Sequence, residues 1–346
     1  MAEWREIVMN REKIMAYYYD LAYKNNVPVS VVLELTTKCN LNCEHCYLPK
    51  HSNAGLNTKT VTNLLTDLCK LGVSHVLFTG GEILLREDLF ELIRVARSLH
   101  MRVTLLSNGT LLNEQKIQQL SELFITEFST TIFSLDSNIH DSITGVNGSL
   151  DQLLINLSRL KEHGIRVKLK MPVMKKNRNS IEQVKQFCDD NQFEFLASPT
   201  IFPKNDGDDT PISLRLDGIE LCEVVKKLDE MNDFKESLVH QREVPCIAIF
   251  YSFAIDANGD VFPCNSLLYK VGSIFENSVS EIWNFSERLK KIKEIKTKDL
   301  GECSGCDYKF LCERCPGMAL LDSTKIEGCD SFARNIAKIR SQCYTV

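Results

Sequence analysis

The chain lacks any excess of basic residues: 41 Lys and Arg stand against 46 Asp and Glu, a formal net charge of −5. Proteins that track nucleic-acid phosphates need a basic stripe. The longest basic-looking run here, Lys168–Arg178, is short and interrupted by apolar residues. Also missing are an apolar run long enough to span a membrane and a secretory signal pattern. No nucleic-acid or membrane partner is expected, and the expected location is cytoplasmic. There is no tandem repeat and no low-complexity tract. A hydrophobic content of 44% with 25% charged residues is ordinary for a soluble chain with a real core. At 346 residues the length suits two domains, or one large domain with an appendage.

Cysteine, by contrast, is abundant, at 14 residues. A secreted disulfide framework fits poorly with this chain length and with the absent signal pattern. Clusters separated by two-residue gaps point instead to metal. Cys69, Cys188, Cys222 and Cys343 stand outside the clusters and read as small buried hydrophobes.

The stretch LTTKCNLNCEHCYLP, Leu35 to Pro49, holds Cys39, Cys43 and Cys46 in a C-x3-C-x2-C spacing, with no fourth cysteine before Cys69. Thiolates select zinc or iron–sulfur clusters. A zinc site would recruit His45 as fourth ligand, yet His45 abuts Cys46, and adjacent residues rarely both face one small ion. An iron–sulfur cube normally takes one cysteine per iron. Three cysteines leave one iron open, and an open coordination position marks a catalytic rather than a structural metal.

From residue 31 to about 200, apolar runs alternate with amphipathic stretches. Expected strands are Val31–Leu35, His75–Thr79, Arg102–Ser107, Thr131–Asp136, Arg166–Met171 and Phe193–Ala197. Expected helices cover Thr58–Leu71, Glu87–Leu99, Glu114–Phe124, Leu150–His163 and Ser180–Asp189. This alternation predicts an α/β fold with a covered parallel sheet, either doubly wound or a partial barrel. Periodicity does not separate the two. Each strand is followed by something polar or glycine-rich: the cysteine loop, Gly80-Gly81-Glu82, Ser107-Asn108-Gly109, then Ser134 and Asp136, with Lys170 near the end of the fifth. In parallel α/β folds the active site lies at the carboxyl edge of the strands, so these residues are expected to share one mouth.

The polar segment Phe202–Ser213 ends the first domain, and a helix is expected around Gly218–Met231. Phe250–Cys264 reads as a β-hairpin turning at Asn258-Gly259, a favoured two-residue turn. Ser278–Glu294 opens on a capping-box pattern, Ser278 with Glu281, and is expected as one amphipathic helix. The expected organisation is an N-terminal helix over 1–30, a barrel over 31–200, a linker with a bridging helix over 201–240, and a cysteine-rich region over 241–346.

The three-cysteine loop resembles the signature of the radical S-adenosylmethionine (radical SAM) enzymes, with His45 and Tyr47 at the aromatic positions beside Cys46. The resemblance implies a partial (β/α)6 barrel and a 4Fe–4S cluster on Cys39, Cys43 and Cys46. SAM would occupy the open iron and be cleaved reductively to a 5′-deoxyadenosyl radical. It further implies that Gly80, Gly81 and Glu82 hold the SAM amino group, where glycines admit close backbone approach and a carboxylate suits an ammonium. Ser107 and Asn108 would take the ribose, Ser134 and Lys170 would lie near the SAM carboxylate, and Tyr47 would lie beside the adenine. The family's HDxxR variant is absent, the chain having HDSITG at His140–Gly145. No arginine contact carries over.

The later cysteines, Cys246, Cys264, Cys303, Cys306, Cys312, Cys315 and Cys329, resemble in order the SPASM extension of these enzymes; a treble-clef zinc module is the alternative. The resemblance implies one auxiliary 4Fe–4S cluster on Cys303, Cys306, Cys312 and Cys329, and another on Cys246, Cys264 and Cys315. That makes three clusters in all. The family's further cysteine between the counterparts of Cys246 and Cys264 is missing, so either one auxiliary iron is open or Cys343 closes it. SPASM relatives mostly modify peptides. The wording of Pro263–Trp283 and Cys312–Ala319 leads to an expected maturase forming a thioether or related cross-link in a ribosomal precursor peptide. A small-molecule or tetrapyrrole enzyme, a formylglycine-generating enzyme and an epimerase are the alternatives. Expected partners are the precursor peptide, an electron donor such as flavodoxin or ferredoxin, and a separate leader-binding protein.

Overall fold

The protein is described by a computed structural model covering residues 14, 16–237 and 239–344, with the side chains of His240, Cys343 and Tyr344 excepted. The first thirteen residues of the expected N-terminal helix therefore lie outside the described residues. So does the side chain of Cys343, the candidate extra ligand.

Six strands in chain order form a parallel array: β1 (Ser30–Thr36), β2 (His75–Gly80), β3 (Arg102–Leu106), β4 (Glu127–Thr131), β5 (Val167–Pro172) and β6 (Glu194–Ser198). Each pairs with its neighbour in sequence, in the order β6-β5-β4-β3-β2-β1. A doubly wound sheet reverses direction at its first strand. This array does not reverse, and β6 does not return to pair with β1. The result is the partial barrel, open where β1 and β6 would have met.

On the far side of β1 the sheet continues into the cysteine-rich half. Strand β7 (Ser252–Ile255) pairs in parallel with β1, and β8 (Asp260–Phe262) and β9 (Gly272–Ser273) extend it antiparallel to nine strands. The hairpin between β7 and β8 forms with a longer turn than expected. Gly259 N donates to the Asp256 carbonyl at 3.0 Å, and Gly259, at φ +85°, takes the left-handed bulge position that follows such a turn.

Helices cover the outside. In α2 (Thr58–Leu71) the buried residues Val61, Leu64, Leu65 and Leu68 recur at helical spacing, and the Asn57 side chain caps the start by accepting from Thr60 N. The same logic builds α3 (Leu89–Ser98), α4 (Glu114–Glu122), α6 (Ser149–Glu162) and α7 (Ile181–Asn191). Helix α5 (Ser137–Thr144) lies where a loop was expected. β4 runs over Glu127–Thr131 and leaves the sheet where the fourth strand was expected to begin. The apolar residues Ile132 and Phe133 that suggested a strand are instead buried beyond it.

Helix α1 (16–24) lies near the amino ends of the strands, with Tyr18 Oη 2.8 Å from Ser74 Oγ, just before β2. Helix α8 spans Gly218–Met231, and the expected Ser278–Glu294 helix is broken in two. α9 (Val279–Phe285) starts with the capping box of Ser278 and Glu281. α10 (Glu287–Glu294) restarts at Ser286, whose side chain accepts from Leu289 N. Short α11 (Gly301–Ser304), α12 (Pro316–Ser323) and α13 (Ser331–Tyr344) follow. One continuous apolar core runs from Leu33, Phe78 and Phe128 of the array to Trp283, Ile292 and Phe332 of the C-terminal half. A buried ion pair, Arg340 on α13 with Asp229 on α8 at 2.7 Å, fastens the end of the chain to the linker helix.

A three-cysteine cavity and a second cysteine field

The loop after β1 carries Cys39, Cys43 and Cys46 over the carboxyl ends of the strands. A cavity of about 230 Å³ opens there, bordered by all three cysteines, Tyr47, Gly80, Gly81, Ser107, Asn108 and Lys170. Most of the residues singled out by sequence position thus meet in one place. Burial, then the proximity of Cys46 and Cys39, pushes the Cys43 thiol up to about 12. Thiols buried this deeply beside one another are held neutral, and a bound cation would favour their thiolates, which suits a metal cluster.

Two of the expected contacts are arranged differently. The Glu82 carboxylate does not reach the cavity but is fully buried beneath it. Oε1 accepts from Leu84 N at 2.8 Å, Oε2 from Asn108 N at 2.7 Å, and Ser107 Oγ donates to Oε1 at 2.8 Å. Its work is to tie the loop after β2 to the loop after β3, leaving the backbone of Gly80 and Gly81 to face the cavity. Neither glycine tolerates a side chain. Gly80 sits at φ +145°, and a Cβ on Gly81 would come within 2.3 Å of the Lys38 carbonyl oxygen. Ser134 is likewise turned away, its hydroxyl 2.9 Å from Ser180 Oγ, and it does not border the cavity. Asn108 does, donating from Nδ2 to Asn40 Oδ1 at 2.9 Å with Cys39 Sγ at 3.9 Å. Burial lowers the Lys170 ammonium from its ordinary range.

Several cavity residues escaped sequence reasoning. The hydroxyls of Ser129 and Thr130 at the end of β4 are buried without a hydrogen-bond partner among the described residues. Such groups are rare in native proteins unless something else satisfies them. His140, 2% exposed, accepts the Phe133 N–H on Nδ1 at 3.3 Å, so its proton sits on Nε2; burial holds the ring neutral, down to about 4. The strand register of β4 would have exposed the first pair, had its boundary been placed correctly. His140 gave no signal beyond a histidine in an unforeseen helix. His51 approaches the cluster loop, with Nε2 3.6 Å from Cys46 Sγ. His45 instead packs edge-on against Phe133, with 5.0 Å between ring centroids. Among the described residues, no three His, Cys, Asp or Glu side chains converge tightly enough for a single metal ion. The cysteine sulfurs around an iron–sulfur cube each bind a different iron, so convergence on one point is not required of them.

A second cavity of about 470 Å³ lies beside the first and shares Tyr47 and Thr79 with it. At its far side is Cys264, so it extends from the three-cysteine loop to the C-terminal cysteines. Its charged lining is Glu34, Asp256 and Lys50. Burial, then the neighbouring Asp256, raises the Glu34 carboxyl from 4.5 to about 7, although Tyr47 Oη donates to it at 3.4 Å.

The later cysteines fall into two groups. Burial raises Cys264 to about 11, with Cys315 and Cys246 close enough to add to the shift. Burial raises Cys312 to about 12, with Asp330, Cys303, Cys329 and Cys306 contributing. The residues that would hold the two auxiliary clusters are therefore neighbours in the sets expected from the sequence, including the crossover of Cys315 to the partners of Cys264. Of the isolated cysteines, Cys188 is fully buried in the core.

Comparison with known proteins gives matches for two family models, the Radical SAM superfamily over residues 33–188 and the SPASM iron–sulfur cluster-binding domain over 246–307. The AdoMet-dependent heme synthase of Oleidesulfovibrio alaskensis is 26% identical, covering 82% of this chain and 81% of its own. The antilisterial bacteriocin subtilosin biosynthesis protein AlbA of Bacillus subtilis is 28% identical, covering 82% and 68%. In structure, Streptococcus suis SuiB bound to its precursor peptide SuiA superposes with a TM-score of 0.71 over 92% of this chain and 79% of that one, at 19% identity. That likeness is one of fold.

Proposed function

Since the chain is a radical SAM enzyme with a C-terminal SPASM iron–sulfur region, we propose that it matures a ribosomally made peptide by forming a thioether or a related cross-link. In this reading Cys39, Cys43 and Cys46 hold the SAM-binding 4Fe–4S cluster, and the other two cysteine groups hold two auxiliary 4Fe–4S clusters. SAM and the reduced cluster, when bound, supply a 5′-deoxyadenosyl radical that removes hydrogen from the substrate. The Gly80–Gly81 backbone, Ser107, Asn108, Lys170 and the Nε2–H of His140 surround the SAM cavity, and Tyr47 closes it towards the substrate side. Glu82 keeps the two glycine and serine–asparagine loops in register.

One observation carries the choice of substrate. The second cavity joins the SAM loop to Cys264, whose described sulfur partners are only Cys246 and Cys315. A cluster with three protein sulfurs has room for a substrate thiolate, which metal coordination deprotonates. In this reading Glu34, half-buried in that cavity with its carboxyl raised to about 7, would take the thiol proton. The lining also carries two carboxylates and one ammonium, which suits a neutral or cationic peptide segment better than a polycarboxylate. A tetrapyrrole substrate is the second reading. It is favoured by the heme synthase of O. alaskensis, which matches this chain over most of both lengths.

The readings separate in one experiment. Anaerobically reconstituted protein is incubated with SAM and dithionite, together with either short cysteine-containing precursor peptides or an iron porphyrin bearing propionates. The peptide reading expects a product lighter by two hydrogens and resistant to thiol alkylation. Porphyrin decarboxylation with unchanged peptides would replace it with the second reading.

A further inference from the structure

The three sulfurs of the first cysteine loop have unequal surroundings. Cys39 Sγ faces the Leu41 N–H at 3.4 Å; Asn108 Nδ2 is 3.9 Å away and already donates to Asn40 Oδ1 at 2.9 Å. Among the described residues no side chain donates to Cys43 Sγ. Cys46 Sγ has His51 Nε2 at 3.6 Å, and the ring makes no other hydrogen bond among the described residues. The main chain holds His51 in that place. Two residues on, Asn53 N donates to Thr37 Oγ1 at 2.9 Å, and the Asn53 carbonyl accepts from Thr36 Oγ1 at 2.8 Å, which folds the segment back on the end of β1. Gly55, at φ +83°, completes the turn with no room for a Cβ beside the Leu35 carbonyl oxygen. From the cysteine-rich half, the Asn258 side chain accepts from Asn53 Nδ2 at 2.7 Å.

We propose that His51 sets how readily the SAM-binding cluster is reduced, by donating its Nε2–H to the sulfur of Cys46. The inference rests on the reading of Cys39, Cys43 and Cys46 as cluster ligands. A thiolate bound to iron has no proton to give, so the ring proton belongs on Nε2. One-electron reduction adds negative charge, part of which falls on the sulfurs. An N–H aimed at one of them favours the reduced form and raises the potential. Partial burial strengthens such a dipole. His51 acts through Cys46 and is a positioning residue, not a catalytic one. Lys204 is the competing source of positive potential, since its ammonium favours the ionised Cys46 sulfur. It is partly exposed and paired with Asp208 at 2.7 Å, so water and the carboxylate cancel most of its field.

The test is a redox titration of the anaerobic holoenzyme with dithionite and mediators, read by electron paramagnetic resonance on the signal that changes shape when SAM is added. His51→Leu is expected to lower the equilibrium constant for reduction of that centre about tenfold, which is about 59 mV for one electron. His51→Gln, which offers an amide N–H of similar reach, is expected to stay within about threefold of the wild type. Lys204→Met is expected to change it less than about threefold. The other centres are expected to keep their midpoints in all three variants, with iron content at the wild-type level. A fall below about threefold in His51→Leu, an equal fall in His51→Gln, or a larger one in Lys204→Met would overturn the proposal. So would loss of about four irons from His51→Leu, which would make His51 a ligand. A wild-type holoenzyme in which no signal responds to SAM would remove the reading of Cys39, Cys43 and Cys46 as a SAM-binding centre, and this proposal with it.

Discussion

The half-buried carboxyl of Glu34 offers a quantitative handle on the second cavity. Burial and the adjacent Asp256 raise it from 4.5 to about 7. The folded carboxyl therefore holds its proton more tightly than the unfolded one. Native stability is fully expressed below the unfolded value and declines as pH rises towards 7. Linkage sets the size of that decline at about 0.8 kcal/mol by pH 5 and about 3.3 kcal/mol by pH 8, an upper bound for a group bordering an open cavity. Glu34→Gln keeps the shape and removes the titration. Between pH 5 and pH 8 the variant is expected to gain up to about 2.5 kcal/mol on the wild type in urea unfolding followed anaerobically. The pH profile of peptide modification is expected to lose its limb near neutrality at the same time. A stability difference that stays constant across that range would refute the reasoning, because it would mean that Glu34 titrates alike in the folded and unfolded chain.

Other consequences are as direct. Asp229→Asn leaves the buried Arg340 guanidinium with only the exposed Glu313 carboxylate, 3.0 Å away, and is expected to cost about 1–3 kcal/mol in unfolding assays, with the contact between α8 and α13 loosened. Glu82→Gln must set an amide NH2 against either Leu84 N–H or Asn108 N–H. It is expected to cost about 1–3 kcal/mol and to weaken SAM binding measured by equilibrium dialysis, with thiol and iron contents unchanged. Gly81→Ala places a methyl within 2.3 Å of the Lys38 carbonyl oxygen; SAM affinity is expected to fall more than about tenfold even if the fold survives. Cys315→Ala is expected to lose about four of about twelve irons by elemental analysis, and Cys312→Ala a different four, resolvable by their electron paramagnetic resonance signals.

Much of this architecture could be read in the sequence because its signals are local. Apolar runs such as Val31–Leu35 and His75–Thr79 fall within a residue or two of β1 and β2, and Gly218–Met231 is α8 as expected. The order of the strands was not legible. Whether consecutive strands continue in one direction or reverse is decided by packing across the whole sheet, not by any segment's periodicity. The fourth strand was misplaced because Glu127–Thr131 reads as polar, yet Ser129 and Thr130 are buried there against the cavity; function overrode the hydrophobic pattern. Spacing located the cysteines, but it gave no means of telling that Glu82 points inward, or that His51 rather than His45 approaches Cys46. Those depend on loops whose conformations are set by contacts distant in sequence, such as the Arg86 guanidinium holding the Leu35 carbonyl at 2.8 Å.

The pairing of β1 with β7 has a wider meaning for how such a protein can be altered. The strand that leads into the SAM loop has its other flank satisfied by the half that carries the auxiliary cysteines. Deleting that half would bare a row of backbone donors and acceptors on a strand carrying Val31, Val32, Leu33 and Leu35, an invitation to aggregate. The half that carries the radical SAM loop and the half that carries the later cysteines are thus joined by main-chain bonds. Change in either must keep that seam intact, and new substrates are more readily accommodated by rebuilding the loops around it than by exchanging one half for another.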